Sequence, residues 1–168
     1  TAVGHAAGSA VTTGQYNTLI GGLAGDALTT PNHNVAVGYS ALTADTKGTG
    51  STAIGRFALG AQNFTTATNA YNVGVGFNAG VAITTGVQNT LIGSLAGDDL
   101  EGGSLNVIVG YNNGFAAPTN TQVIVLGTNV TGQTNNNFTF GAGSTDSNIA
   151  FGATTITAPS DERYKENI

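Results

Sequence analysis

Short apolar triplets, each closed by a glycine, punctuate an otherwise polar chain. The closing residues are Gly4, Gly21, Gly38, Gly55, Gly76, Gly93, Gly110 and Gly127, at steps of 17, 17, 17, 21, 17, 17 and 17 residues. Directly before them stand Val3, Ile20, Val37, Ile54, Val75, Ile92, Val109 and Leu126, all aliphatic. Three places before them stand Thr1, Thr18, Val35, Thr52, Val73, Thr90, Val107 and Ile124, all β-branched. Residues two apart share one face of a strand, and these types favour strands. The position between them (Ala2, Leu19, Ala36, Ala53, Gly74, Leu91, Ile108, Val125) is also small or apolar. A strand apolar on both faces must be covered on both sides. One face packs into the chain's own core; the other calls for a partner chain or a second wall. A fixed period of this length predicts an all-β chain, a parallel β-solenoid or β-roll of about 17-residue rungs.

The other columns fit a rung. Ala7, Ala24, Ala41, Ala58, Ala79 and Ala96 fall three after the glycine, where a tight corner admits only a small side chain. Gly8, Gly25, Gly80, Gly97 and Gly114 follow at the next place, as expected where the backbone needs positive φ. Asn17, Asn34, Asn72, Asn89 and Asn106 precede the strands at equivalent places. Stacked, they form either an amide ladder or a set of independent Asx turns.

A longer period overlies the first. Residues 4–28 match residues 76–100 at 17 of 25 positions, and all eight glycines obey the same 72-residue shift. Four rungs therefore read as one duplicated block, and the 21-residue step as a four-residue insertion around Asn63 to Asn69. After Gly127 the rhythm changes. Phe138-Thr139-Phe140-Gly141 and Ile149-Ala150-Phe151-Gly152 keep the apolar-then-Gly ending at steps of 14 and 11. This predicts shortened rungs in a narrower stem, until Pro159 interrupts the ladder. The expected division is a solenoid shaft over 1–130, a tapered stem over 131–159 and a distinct segment over 160–168.

Composition narrows the function. Only 8% of the 168 residues are charged, and the net charge is −5. That balance argues against nucleic-acid binding, which needs a basic face. No run of apolar residues is long enough to span a membrane as a helix. With no Cys, disulfides and Cys-based zinc sites are excluded. No paired carboxylates, nucleophile elbow or phosphate loop points to an enzymatic body, and no cofactor is called for. The chain starts at Thr1 in mid-pattern, as expected of a fragment of something longer.

The last nine residues, Ser160-Asp161-Glu162-Arg163-Tyr164-Lys165-Glu166-Asn167-Ile168, differ in character from the body. They resemble the opening of the intramolecular chaperone domain found at the C-terminus of phage tail fibres and tailspikes, including endosialidases. That resemblance implies a domain that drives trimerisation and then releases itself by autoproteolysis. Ser160 would be the nucleophile and Lys165 its general base, with the cut between Pro159 and Ser160. The bland alternative for Ser160 is a helix cap, with Asp161 and Glu162 in the first turn. The body triplets, such as Asn34 to Gly38 and Ser51 to Gly55, are similar to the repeats of trimeric autotransporter adhesin heads, although the 17-residue rung is longer.

Together these resemblances imply a homotrimeric segment of a phage tail fibre or appendage, located in the virion. Its partners would be itself, other phage tail proteins, and a bacterial surface glycan or outer-membrane receptor. The alternatives are a bacterial adhesin head and the stem of a glycan-degrading tailspike.

For contact with a glycan the exposed wall is the place to look. The position after each repeat glycine varies (His5, Gly22, Tyr39, Arg56, Phe77, Ser94, Tyr111, Thr128), and loops at 26–33, 44–50, 62–69 and 98–104 accompany it. Tyr39, Phe77 and Tyr111 are the residues expected to stack on sugar rings, with packing on the adjacent loop as the alternative. His5 and His33 could meet symmetry mates on a threefold axis, and Asp26, Asp98, Asp99 and Glu101 could hold calcium. Isolated surface imidazoles and a solvated acidic loop are the simpler readings, so no metal site is assigned.

Overall fold

The computed structural model describes residues 1–143 and 146–153. Its strands are β1 (Ala2–Val3), β2 (Thr18–Ile20), β3 (Val35–Val37), β4 (Gly48–Thr49), β5 (Thr52–Ile54), β6 (Thr68–Asn69), β7 (Val73–Val75), β8 (Thr90–Ile92), β9 (Val107–Tyr111), β10 (Gly114–Phe115), β11 (Val123–Thr128), β12 (Thr131–Gly132), β13 (Asn137–Ala142) and β14 (Ser147–Ala150). No helix occurs among the described residues. Ten strands form one sheet in the order β1-β2-β3-β5-β7-β8-β9-β11-β13-β14, and β4·β6 and β10·β12 form two small parallel pairs.

From β1 to β13 every pairing in the large sheet is parallel and follows the repeat, as in Leu19↔Ala36↔Ala53↔Gly74↔Leu91↔Ile108↔Val125. Each chain segment between two strands loops back to begin the next rung. The fold is a parallel β-solenoid of about eight 17-residue turns.

The middle residue of each triplet points inward. Leu91, Ile108 and Val125 are wholly buried, as are Ala36 and Ala53. Full burial of an aliphatic side chain contributes about 1.5–3 kcal/mol. The small corner column is buried too: Ala24, Ala41, Ala58, Ala79 and Ala96 are fully inaccessible. Its neighbours Gly8, Gly25, Gly80 and Gly97 have φ between +55° and +62°. Gly114 departs from this column: it starts β10 and pairs with Thr131.

The glycine that closes each triplet has a stricter role. Gly38 has φ +132°, and a Cβ there would lie 2.6 Å from the carbonyl oxygen of Gly55 on the next rung. Neither the backbone angle nor the space admits another residue.

The repeated geometry of the polar column is an amide ladder. The backbone N–H of Asn34 donates to Asn17 Oδ1 at 2.9 Å, and that of Ser51 donates to Asn34 Oδ1 at 2.8 Å. The Nδ2 groups of Asn34 and Asn72 donate forward to the carbonyls of Gly48 and Gly86. Each buried asparagine thus satisfies a backbone donor and a backbone acceptor of the following rung. Independent Asx turns are thereby excluded.

The ladder changes at Ser51, where the repeat lacks asparagine. Asp45 and Gln62, seven residues after their repeat glycines, occupy the column filled elsewhere by Val11, Leu28, Ile83 and Leu100. Gln62 Nε2 donates to Asp45 Oδ2 at 2.5 Å and to Ser51 Oγ at 3.0 Å, while Gln62 Oε1 accepts from Asn72 Nδ2 at 2.8 Å. Asp45 Oδ1 accepts the backbone N–H groups of Gly48 and Phe64. Leu42 and Leu59 restore apolar volume nearby, at left-handed positions (φ +54° and +50°) that are glycine in other rungs. The four-residue insertion holds Phe64 in the interior and leads into β6.

The structure decides which face of the triplet is the inner one. The residue that precedes each glycine lies on the outer face of the sheet, where Ile20, Ile54, Ile92, Val109 and Leu126 are 38–42% exposed. Alternation in a strand puts one set of side chains inside, and the middle residue takes that place. One expectation requires correction: Ile149–Gly152, expected to form another shortened rung, does not continue the parallel stack. β14 folds back antiparallel on β13, pairing Phe138 with Ile149 and Phe140 with Ser147. The 14-residue step to β13 does remain parallel, with Gly127 opposite Gly141. The turn after β13 passes through Gly143 (φ +65°), which permits this reversal.

Candidate functional site

Rung stacking brings residues one repeat apart into vertical columns. The column one place after the repeat glycine runs down one wall, and its register is fixed by the backbone. The N–H of Phe57 donates to the carbonyl of Tyr39 at 3.0 Å, and that of Asn78 to the carbonyl of Arg56 at 2.9 Å. Tyr39, Arg56 and Phe77 therefore lie on three successive rungs, and Ser94 and Tyr111 follow on the next two.

The three aromatic residues anticipated on this wall are all exposed: Tyr39 by 51%, Phe77 by 44% and Tyr111 by 52%. Tyr39 meets the Phe57 ring edge-on, with centroids 5.7 Å apart. The Arg56 guanidinium carbon lies 4.4 Å from the centroid of Phe57 and 5.5 Å from that of Phe77. Both separations suit a cation–π contact. Tyr39, Arg56, Phe57 and Phe77 form one cluster, whereas Tyr111 stands two rungs beyond Phe77 and outside it. Packing between rungs and exposure to solvent thus coexist at Tyr39 and Phe77.

The sequence pattern alone does not single out Arg56 and Phe57 as site residues. A signal exists for Arg56, which occupies the repeat column between Tyr39 and Phe77 and is the only arginine before Ser160. Phe57 belongs to the next column, where Leu23, Ser40 and Asn78 are its counterparts, and nothing in that mixture marks it. Below Phe57, the Oδ1 of Asn78 is buried without a hydrogen-bond partner.

The remaining residues separate. His33 stacks on Tyr16, one rung away, with centroids 5.1 Å apart and rings 11° from parallel; His5 belongs to the Tyr39 column. Asp26 accepts the Thr43 hydroxyl at 2.6 Å. Asp99 Oδ2 accepts the N–H of Phe115 at 2.9 Å. Although Asp99 as a residue is exposed, its carboxyl group is tucked against Gly114. That local burial raises its pKa above the ordinary aspartate value, more than the Phe115 hydrogen bond lowers it, and the nearby Asp98 charge adds to the rise. No group of three His, Cys, Asp or Glu side chains able to hold a metal occurs among the described residues.

Of the loops expected to face solvent, two contribute instead to the interior through Asp45, Gln62 and Phe64. Ser160 and Lys165 lie outside the described residues. No protein-family model, curated protein or solved structure matches the chain.

Proposed function

We propose that the chain is a structural segment of a bacteriophage tail fibre or tail appendage, working as a homotrimer in host attachment. The observation that carries this reading is the outer face of the large sheet. Thr18/Ile20, Val35/Val37, Thr52/Ile54, Val73/Val75, Thr90/Ile92 and Val107/Val109 form two continuous columns, with the second column still partly open to solvent. A continuous row of partly exposed β-branched and aliphatic residues is the surface that association between copies would cover. A solenoid with few charges supplies reach, and its polar wall supplies contact.

The resemblance of Ser160 to Ile168 to the chaperone opening supports the phage assignment over an adhesin head. On this reading the body is not an enzyme, and the only reaction is a single cleavage before Ser160, with Lys165 as the base. Light scattering on the purified chain should give three times the 16.7 kDa monomer mass. A monomer at micromolar concentration would overturn the trimer. Mass spectrometry of a longer product carrying a downstream domain should find an end at Pro159, and Ser160→Ala should abolish it; an intact junction would overturn the processing.

A further inference from the structure

We infer that the Arg56 cluster binds a carboxylate-bearing sugar, such as a uronate or a sialic-acid-type residue. The choice of a glycan as ligand rests on the attachment reading above; the acid group is read from the cluster itself.

The chain carries a net charge of −5, and only Lys47 and Arg56 supply cationic side chains before residue 160. Arg56 makes no ion pair among the described residues; its guanidinium contacts are the rings of Phe57 and Phe77. Among the described residues the guanidinium N–H groups of Arg56 have no hydrogen-bond acceptor, and the contacts of the guanidinium are with the two rings. Its planar fork of donors matches a carboxylate. An exposed arginine without a counterion, resting against two rings, is therefore an anion site. The ring contacts restrict its side chain, so less entropy is lost when it binds.

The rings define what surrounds the anion. Tyr39 and Phe77 flank Arg56 along the axis, one rung to either side and so about 10 Å apart. Both are about half exposed. Their faces and edges offer apolar contact to the C–H side of a pyranose while its carboxylate sits on Arg56. A bare inorganic anion would use only Arg56. A neutral sugar would use only the rings, leaving the guanidinium unpaired.

The test is surface plasmon resonance on the intact chain with four probes: trigalacturonate, N-acetylneuraminic acid, maltotriose and sulfate. At least one acidic sugar should bind, and at least tenfold more tightly than either maltotriose or sulfate. Arg56→Ala should weaken that binding at least tenfold. Arg56→Lys, which keeps the charge and loses the planar fork, should weaken it about threefold or more. Phe77→Ala should weaken the sugar and leave sulfate unchanged.

The inference is overturned if neither acidic sugar binds at 10 mM, on the order of the weakest useful affinity. It is equally overturned if maltotriose matches them, if sulfate matches them, or if Arg56→Ala binds as wild type. Circular dichroism confirms that the variants retain their β fold, as expected for exposed side chains. Light scattering on the same samples separates the two readings: a trimer that fails to bind defeats this inference alone, and a monomer that binds defeats the trimeric fibre alone.

Discussion

Asn89 Oδ1 accepts two hydrogen bonds from Asn106, one from its backbone N–H at 3.1 Å and one from its side-chain Nδ2 at 3.0 Å. Asn89 Nδ2 in turn donates to the carbonyl of Gly103 at 2.9 Å. All three residues are buried. One side chain therefore satisfies polar groups of the next rung that water cannot reach.

Replacing Asn89 with Ala should cost about 2–5 kcal/mol, because a buried donor and a buried acceptor are each left unpaired. Gln88→Ala, at the exposed neighbour, should fall within about 0.5 kcal/mol of wild type. Chemical denaturation of both variants measures the contrast. Equal midpoints would show that the ladder adds nothing to stability.

The repeat glycine makes a sharper comparison with its neighbour. Gly21 has φ +129°, and a Cβ there would lie 2.5 Å from the Gly38 carbonyl oxygen; Gly22 has no such φ, and its Cβ would meet the Tyr39 ring at 3.4 Å. Gly21→Ala should destabilise by about 3 kcal/mol or more through combined strain and collision. Gly22→Ala should change stability by less than about 1 kcal/mol. A thermal melt in which the two variants coincide would remove the assigned role of the repeat glycine.

Outer-face residues test association apart from folding. Ile54 and Val109 are 39% and 38% exposed in the single chain, so an aspartate at either place can reach solvent within a folded rung. In the proposed trimer this face is the contact between copies, so Ile54→Asp and Val109→Asp should abolish association by placing a charge there. Sedimentation velocity reads this directly, and an unchanged oligomer would exclude this face as the contact.

Asp99 gives a pH prediction. Its carboxyl pKa is raised in the folded chain, chiefly by local burial. The protonated acid is thus the form the fold favours. Its stabilising contribution is complete below the ordinary aspartate pKa and is lost as pH rises through the raised value. Asp99→Asn should therefore gain in melting temperature relative to wild type as pH increases across that window. A difference that shrinks as pH increases would contradict the assigned sign.

The rung, its period and its corners are legible because they rest on local rules that repeat. Gly38 cannot be anything else, Ala58 has no room, and Asn34 always meets the same two backbone groups. The outward direction of Ile54 is harder to read, since a triplet apolar at all three places fits either facing. The reversal at β14 is hidden for a related reason. Ile149-Ala150-Phe151-Gly152 has the same local spelling as a rung, and only the pairing partner distinguishes parallel from antiparallel. On the candidate wall, Tyr39, Phe77 and Tyr111 could be named from column position, although only Tyr39 and Phe77 join the cluster. The Arg56–Phe57 contact joins two columns, and a single-column reading does not show it.

Ser51 and Val123 are related by the 72-residue shift, and at both the asparagine column is interrupted. The boundary between the two four-rung blocks is therefore joined by different chemistry, with Asp45 and Gln62 bridging from Ser51 to Asn72. Since each rung touches only its neighbours, such a molecule can lengthen or shorten by whole cassettes without disturbing the joints inside them. The adaptor at Asp45–Gln62 is what a new cassette would have to bring with it.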